Sequence, residues 1–161
     1  MKAELVKKRV YIESTVISYL AAKPARDLVK QARQFLTREW WEQRRRWDLY
    51  ISTGVMREIQ LGNRDAARRR VAFVNGLSLL PETEEAGQLA DYLIKSGLVP
   101  ESVRDDALHI ATATVHGMDY LVTWNQKHIF NPFRIEAMYA AIRKWKRTPP
   151  VLIRPDNLGP D

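Results

Sequence analysis

Short apolar runs alternate along the chain with longer stretches in which apolar residues recur every three or four positions. The short runs are rich in β-branched and aromatic residues and predict five strands, at Arg9–Ile12, Leu49–Ser52, Leu77–Leu80, Tyr120–Thr123 and Val151–Ile153. The periodic stretches between them predict helices, the longest over Ala25–Arg46, Asp65–Asn75, Glu82–Lys95, Ser102–His116 and Ile135–Lys146. Because parallel strands need crossover connections, this alternation predicts an α/β fold. We expect a central parallel sheet of about four or five strands with helices on both faces.

Length and composition narrow the class of protein. The chain has 161 residues, which is the size of one domain, so we expect a single domain over 1–161. Hydrophobic residues make up 45% and charged residues 28%, which is ordinary for a globular protein. The absence of cysteine excludes a disulfide framework, a thiolate nucleophile and a zinc site built on cysteine.

The charge balance favours an anionic partner. Lysine and arginine number 26 and aspartate and glutamate 19, which gives a net charge of +7 and a pI near 9.8. Nucleic acid or an acidic protein segment would complement this charge. No apolar run approaches the roughly 20 residues of a membrane span, and Met1–Arg9 lacks the apolar stretch of a signal peptide. We therefore expect a soluble cytoplasmic protein with no membrane partner.

Candidate chemistry follows the predicted strands. In open α/β sheets, ligands gather at the carboxyl ends of the strands. The first strand is followed by Glu13-Ser14-Thr15, the second by a short helix that carries Glu58, and the fourth by Asn125. Asp105 and Asp106 begin the helix before the fourth strand. We expect one edge of the sheet to collect these polar groups.

Helical geometry separates the two aspartates. Asp105 shares a polar stripe with His109 and Thr112, so Asp105 can face water. Asp106 shares a stripe with Ile110, where an ionised carboxylate is costly unless a cation or a hydrogen-bond donor meets it. A metal ion is one such partner. Capping of the helix N-terminus is the simpler alternative for either aspartate.

Each of the other candidates also has a purely structural interpretation. Glu13 could cap the next helix, Glu58 could pair with a surface arginine, and Asn125 could occupy a turn. The three histidines are interpreted as structural or surface residues, with His109 near the rim of the site. Two further groups are candidate contacts, the runs at 44–46, 68–70 and 143–147 for RNA and the pair Trp40-Trp41 for a partner protein.

Four segments resemble the motifs of PIN-domain proteins, especially the VapC-like toxins of bacterial toxin–antitoxin pairs. These segments are Val10–Ile17, Val55–Ile59 with Glu58, Asp106–Ala113 and Tyr120–Asn125. The resemblance runs from about Arg9 to Asp156, and it is most specific from Asp106 to His128. It implies a PIN-like fold and a metal-dependent endoribonuclease.

The resemblance also implies a site. Glu13, Glu58, Asp106 and Asn125 match the catalytic positions that hold Mg²⁺ or Mn²⁺, and Thr15 matches a hydroxyl that assists the water of the metal. Two positions depart from the family pattern, because Glu13 and Asn125 stand where aspartate is usual or frequent. Both retain oxygen donors, but three carboxylates carry less negative charge than four.

The partners implied by the resemblance are RNA, a cognate antitoxin and a second copy of the chain in a homodimer. One alternative keeps the fold without catalysis, so that the protein binds RNA or a protein partner through a degenerate site. Another is a nuclease of the same fold that acts on DNA or on a particular nucleic-acid structure. No GxGxxG, P-loop or GxSxG motif is present to suggest a different chemistry.

Overall fold

A computed structural model describes residues 5–159, which form a five-stranded parallel sheet. The strands are β1 (Arg9–Ile12), β2 (Asp48–Ser52), β3 (Ser78–Leu80), β4 (Tyr120–Val122) and β5 (Val151–Ile153). Their order across the sheet is β3-β2-β1-β4-β5, so β1 lies at the centre. Val10 pairs with Leu49 of β2 on one side and with Tyr120 of β4 on the other. The predicted α/β class and parallel sheet are confirmed.

The helices connect the strands as the periodicity predicts. They are α1 (Ser14–Ala21), α2 (Leu28–Glu42), α3 (Thr53–Ile59), α4 (Arg64–Val74), α5 (Glu84–Lys95), α6 (Arg104–Val115) and α7 (Ile135–Lys144). Helix α2 is shorter than predicted because the Asp27 carboxylate caps its first turn, accepting from the Lys30 N–H at 2.9 Å. Its predicted final turn is a separate 3-10 turn at Arg44–Arg46. Within residues 5–159, no helix combines the length and apolar character that crossing a membrane requires.

Both faces of the sheet are covered. Val10, Tyr11 and Ile12 are consecutive in β1 and point alternately to opposite faces, and all three are fully buried. Helix α1 packs against α2, α3 and α4, while α5 packs against α6 and α7. The site-bearing end of β1 is therefore fixed by neighbours on both faces.

One expectation about α2 is wrong. Trp40 and Trp41 belong to the core rather than to a partner surface, since the Trp40 ring stacks on Trp47 at 5.7 Å and Trp41 contacts Phe73 edge-on at 6.0 Å. The start of α2 is exposed, and Leu28 there is 79% accessible. The aromatic end of α2 anchors the helix, and its first turns lie at the surface.

Candidate functional site

The topology brings the predicted polar residues to one edge of the sheet. Parallel strands end at the same edge, and β1 lies between β2 and β4. Glu13 follows β1, Ser52 ends β2 and starts α3, and Thr123 follows β4. Helix α6 presents its first turn to the same edge. This convergence, rather than any single motif, assembles the candidate site.

Glu13 is buried, with 2% of its surface exposed, and its carboxylate accepts four hydrogen bonds. Its Oε2 accepts from the Thr15 N–H at 3.1 Å and from the Ser14 hydroxyl at 2.8 Å. Its Oε1 accepts from the hydroxyls of Thr15 at 2.5 Å and Thr123 at 2.6 Å. Glu13 is the N-cap of α1, so the capping interpretation is correct. Four donors also stabilise a charge that burial alone would disfavour.

The two threonines tie the ends of β1 and β4 together. While its hydroxyl donates to Glu13, Thr15 accepts from the Trp124 N–H at 2.9 Å. Thr123 accepts from the Asn125 N–H, also at 2.9 Å. The Thr15 hydroxyl thus orients the Glu13 carboxylate, and the assistance to a metal-bound water implied by the resemblance stays a prediction.

Glu58 lies opposite Glu13, and the Ser14 hydroxyl lies between them, so its single proton is shared by the two carboxylates. The Ser14 Oγ is 2.6 Å from Oε2 of Glu58 and 2.8 Å from Oε2 of Glu13. Oε1 of Glu58 makes a short contact with Nε2 of His109. Burial raises the pKa of Glu58, but the hydrogen bond and charge of His109, together with the bond from Ser14, outweigh burial and leave this pKa below its usual value. Glu58 is therefore ionised at neutral pH.

His109 is a central residue of the site, although the sequence predicts only a place near its rim. It is 3% exposed and lies inside the cluster, not at its rim. Its Nδ1 is 2.6 Å from the Tyr11 hydroxyl, which is 2.7 Å from the Ser52 hydroxyl. Burial lowers the pKa of His109, but the hydrogen bond to Glu58 and the surrounding carboxylates raise it overall. The one sequence signal was its place three residues after Asp106, on the neighbouring turn of a helix.

The two aspartates lie as helical geometry predicts. Asp105 is exposed and Asp106 is half-buried. Burial raises the pKa of Asp106; the Asn125 side chain opposes this effect, while the negative charge of Glu13 adds to it. Burial and the nearby charge of Glu13 therefore make the ionised form of Asp106 unfavourable, and a bound cation would stabilise it.

Asn125 interacts in two directions. Its Oδ1 accepts from the His128 N–H at 3.0 Å, which fixes the turn after β4. Its side-chain amide lowers the pKa of Asp106, as an N–H donor near a carboxylate does. The turn interpretation is thus correct, and ligation of a metal by Asn125 stays a prediction.

The donor set fits a divalent cation. Glu13, Glu58 and His109 each offer a ligand atom, and these atoms lie within 4.8 Å of one another. The carboxylate of Asp106 stands close enough to Glu13 and His109 for their charges to shift its pKa. Carboxylate oxygens are the ligands that Mg²⁺ and Mn²⁺ take, so the residues present fit the ion that the resemblance implies.

Cationic side chains flank this edge. Two guanidinium groups lie over the Trp124 ring, that of Arg33 at 5.3 Å and that of Arg154 at 5.0 Å from the centre of the ring. Arg154 is also paired with Asp156 at 2.7 Å. Trp124 follows β4, so these guanidinium groups lie at the carboxyl edge of the sheet. Among the arginines, Arg57 acts on the carboxylates themselves, since its charge lowers the pKa of Glu58.

Three arginines of the predicted RNA-binding runs, which do not include Arg33 or Arg154, serve the fold. Arg69 and Arg70 donate to backbone carbonyls of α1 and α3 at 3.1 and 2.7 Å. Arg147 pairs with Glu85 at 2.6 Å. These contacts favour the structural interpretation for the three residues.

Comparison with known proteins identifies the fold. No family model and no curated protein sequence matches the chain. This chain is similar to the solved structure of VapBC2 from Rickettsia felis, with a TM-score of 0.56 and 15% identity. That structure contains a DNA fragment from the VapBC2 promoter. The match covers 91% of this chain and 98% of that one. VapC20 of Mycobacterium tuberculosis, a toxin that cleaves the sarcin–ricin loop, is similar with a TM-score of 0.57 and 17% identity. That match covers 76% of this chain and 95% of that one.

The architecture therefore belongs to the α/β class with polar groups at the carboxyl edge of a parallel sheet. Within that class, the chain has the fold of VapC toxins. The predicted resemblance is confirmed at the level of the fold.

Proposed function

We propose that the chain is a metal-dependent endoribonuclease that hydrolyses RNA phosphodiester bonds and acts as the toxin of a toxin–antitoxin pair. The observation that carries this proposal is the convergence of Glu13 and Glu58, with Asp106 near enough for the charge of Glu13 to raise its pKa, at the carboxyl edge of a sheet with the VapC fold. VapC20, which has this fold, cleaves an RNA loop.

The side chains have distinct tasks in this proposal. Glu13, Glu58 and Asp106 would hold Mg²⁺ or Mn²⁺, with Asn125 as a neutral fourth group. A bound divalent ion supplies a nucleophilic water and neutralises charge that develops on the phosphate. Ser14 and Thr15 keep the two glutamates in place by hydrogen bonds.

Positive groups beside the site would hold the RNA backbone. Arg33 and Arg154 flank Trp124 at the same edge as the carboxylates. Phosphate contacts of this kind supply affinity without sequence information. The proposed RNA path therefore runs over the Trp124 side of the site.

The proposed partners are an antitoxin and a second copy of the chain. The similar structure from Rickettsia felis is that of VapBC2 bound to a DNA fragment from its promoter. We infer from that complex that a toxin of this fold works with a partner protein. For this chain, we propose a cognate antitoxin that silences the site and a homodimeric toxin.

Cleavage of a mixed set of structured and unstructured RNAs tests the activity. We expect cutting with Mn²⁺ or Mg²⁺, none with EDTA, and a loss of at least about 100-fold in Asp106→Asn, the effect typical of removing one electrostatic group from a site. Asp105→Asn is the matched control, because that neighbouring carboxylate is exposed, and it should cut like wild type. Equal cutting by both variants and wild type would contradict the proposal. A DNA substrate in the same assay separates a DNA-directed nuclease.

A second candidate function is binding without cleavage. All four hydrogen bonds to the Glu13 carboxylate and the engagement of Asn125 Oδ1 with His128 favour it, because these oxygens already have partners. RNA binding by the folded protein with no cutting of any substrate in either metal would favour this alternative.

A further inference from the structure

His109 and Glu58 direct their polar atoms to one point. Nε2 of His109 and Oε1 of Glu58 are in short contact, and because an ionised carboxylate only accepts, Nε2 carries the proton of this hydrogen bond. An ion and a proton compete for the same lone pairs of such a pair. The ligand atoms of Glu13, Glu58 and His109 lie within 4.8 Å of one another. Opposite ligands of one octahedral ion are about 4 Å apart, so binding such an ion would draw these side chains slightly closer together.

A buried pair of hydroxyls lies beside the other ring nitrogen of His109, Nδ1. Tyr11 lies 2.6 Å from Nδ1 and 2.7 Å from Ser52 Oγ, and all three side chains are buried. A hydroxyl can donate or accept. When Tyr11 donates to Ser52, it accepts from Nδ1–H, and an ion that displaces the proton between Nε2 and Glu58 takes the Nε2 lone pair. Metal-binding histidines are held by such a partner on the other ring nitrogen.

We propose that His109 ligates, through Nε2, the same divalent ion as Glu13 and Glu58, and that Tyr11 fixes the histidine tautomer for this role. The site is then a mixed nitrogen and oxygen site. Mg²⁺ takes oxygen ligands, whereas imidazole suits first-row transition ions. The site therefore prefers Mn²⁺ to Mg²⁺. This inference rests on the metal site of the proposed function, but not on RNA cleavage.

Pulsed electron paramagnetic resonance of the full chain loaded with Mn²⁺ tests the ligand directly. We expect a hyperfine coupling from a directly bound ¹⁴N nucleus in wild type, its loss in His109→Gln and its retention in His116→Gln. His116 is a matched control because it lies at the end of the same helix and bonds to the Pro81 carbonyl, away from the carboxylates.

Titration calorimetry with Mn²⁺ and Mg²⁺ tests the preference. We expect wild type to bind Mn²⁺ at least about tenfold more tightly than Mg²⁺, and His109→Gln to lose most of this difference. Tyr11→Phe removes only the hydroxyl beside Nδ1 and should weaken Mn²⁺ binding by about 10- to 100-fold while the ¹⁴N coupling remains.

The spectrum of wild type decides even where His109→Gln fails to fold. Bound Mn²⁺ without ¹⁴N coupling overturns the inference, and so does a coupling that persists in a folded His109→Gln protein. RNA cleavage without the coupling would leave the nuclease proposal standing, whereas coupling without cleavage would leave only the metal site.

Discussion

At the scale of single residues, the negative charge of Asp106 that metal binding would need destabilises the metal-free fold. Burial raises the pKa of its carboxyl, and the charge of Glu13 adds to this rise. The ionised form is therefore less stable in the folded chain than in the unfolded chain. A group of this kind persists where a cation relieves its charge.

We expect Asp106→Asn to raise the melting temperature of the metal-free protein at pH 7, because a neutral amide removes the cost of the buried charge. The sign follows from the raised pKa. As the pH falls through the folded pKa, wild type takes up a proton and gains stability, so the advantage of the Asp106→Asn variant over wild type shrinks and ends below the ordinary carboxyl pKa.

Calorimetry in EDTA from about pH 7.5 to 3.5 measures this difference across the ordinary range of carboxyl titration. Asp105→Asn, at the exposed neighbour, should show no such pH-dependent gain. A lower melting temperature for Asp106→Asn at pH 7 would show that the Asp106 charge is already compensated in the metal-free chain.

The sequence separates Asp105 from Asp106 but not His109 from an ordinary core residue. Helical phase distinguishes two aspartates because α6 has an exposed side at its first turn. From Ala107 to Thr114 every residue of α6 is buried, so periodicity carries no information on which side faces the carboxylates. The partner of His109, Tyr11, comes from a strand 98 residues away and is found only from the fold.

At the scale of elements, Lys146, just after α7, has a backbone conformation that glycine adopts more easily than lysine does. Lys146 has φ of 65°, in the left-handed region that favours glycine. Its neighbour Arg147 donates from its N–H to the Ile142 carbonyl at 3.3 Å, which closes the helix. The chain therefore carries a side-chain cost at this turn.

Lys146→Gly should stabilise the protein by about 1 kcal/mol, the approximate cost of a Cβ in the left-handed conformation. Lys144→Gly is the matched control, since position 144 ends the regular part of α7 and glycine there should destabilise by about 0.5–1 kcal/mol. Urea unfolding of both variants measures the free energies. Destabilisation by Lys146→Gly would mean that the Lys146 side chain outweighs its backbone cost.

Elements were predictable where the local pattern decides and less so where packing decides. The strands β1 and β5 have their predicted bounds. A short β-branched run between two helices is stable in this architecture only as a strand of the sheet. The orientation of α2 was not predictable in the same way. The apolar residues Leu28 and Phe35 share one face of α2, but the face that is buried is the one that carries Trp40, which reaches Trp47 in the core.

At the scale of the whole molecule, the arginines that contribute to the net charge of +7 lie at different edges of the sheet. Arg33 lies at the carboxyl edge beside Trp124, and no carboxylate of residues 5–159 is within 4.0 Å of its guanidinium. Arg45 is exposed and precedes β2, at the opposite edge. The two arginines carry the same charge, so they separate the effect of place from the effect of total charge.

Arg33→Gln should therefore weaken RNA binding more than Arg45→Gln, although both lower the net charge by one. Each phosphate contact to a single strand contributes about 0.7 to the slope of log K against log salt concentration, because bound phosphates release counterions. We expect the slope of Arg33→Gln to be shallower by about this amount and that of Arg45→Gln to match the parent. Fluorescence anisotropy with labelled single-stranded RNA in EDTA measures both. Equal effects of the two substitutions would assign RNA binding to the overall charge and remove the reason for an RNA path across Trp124.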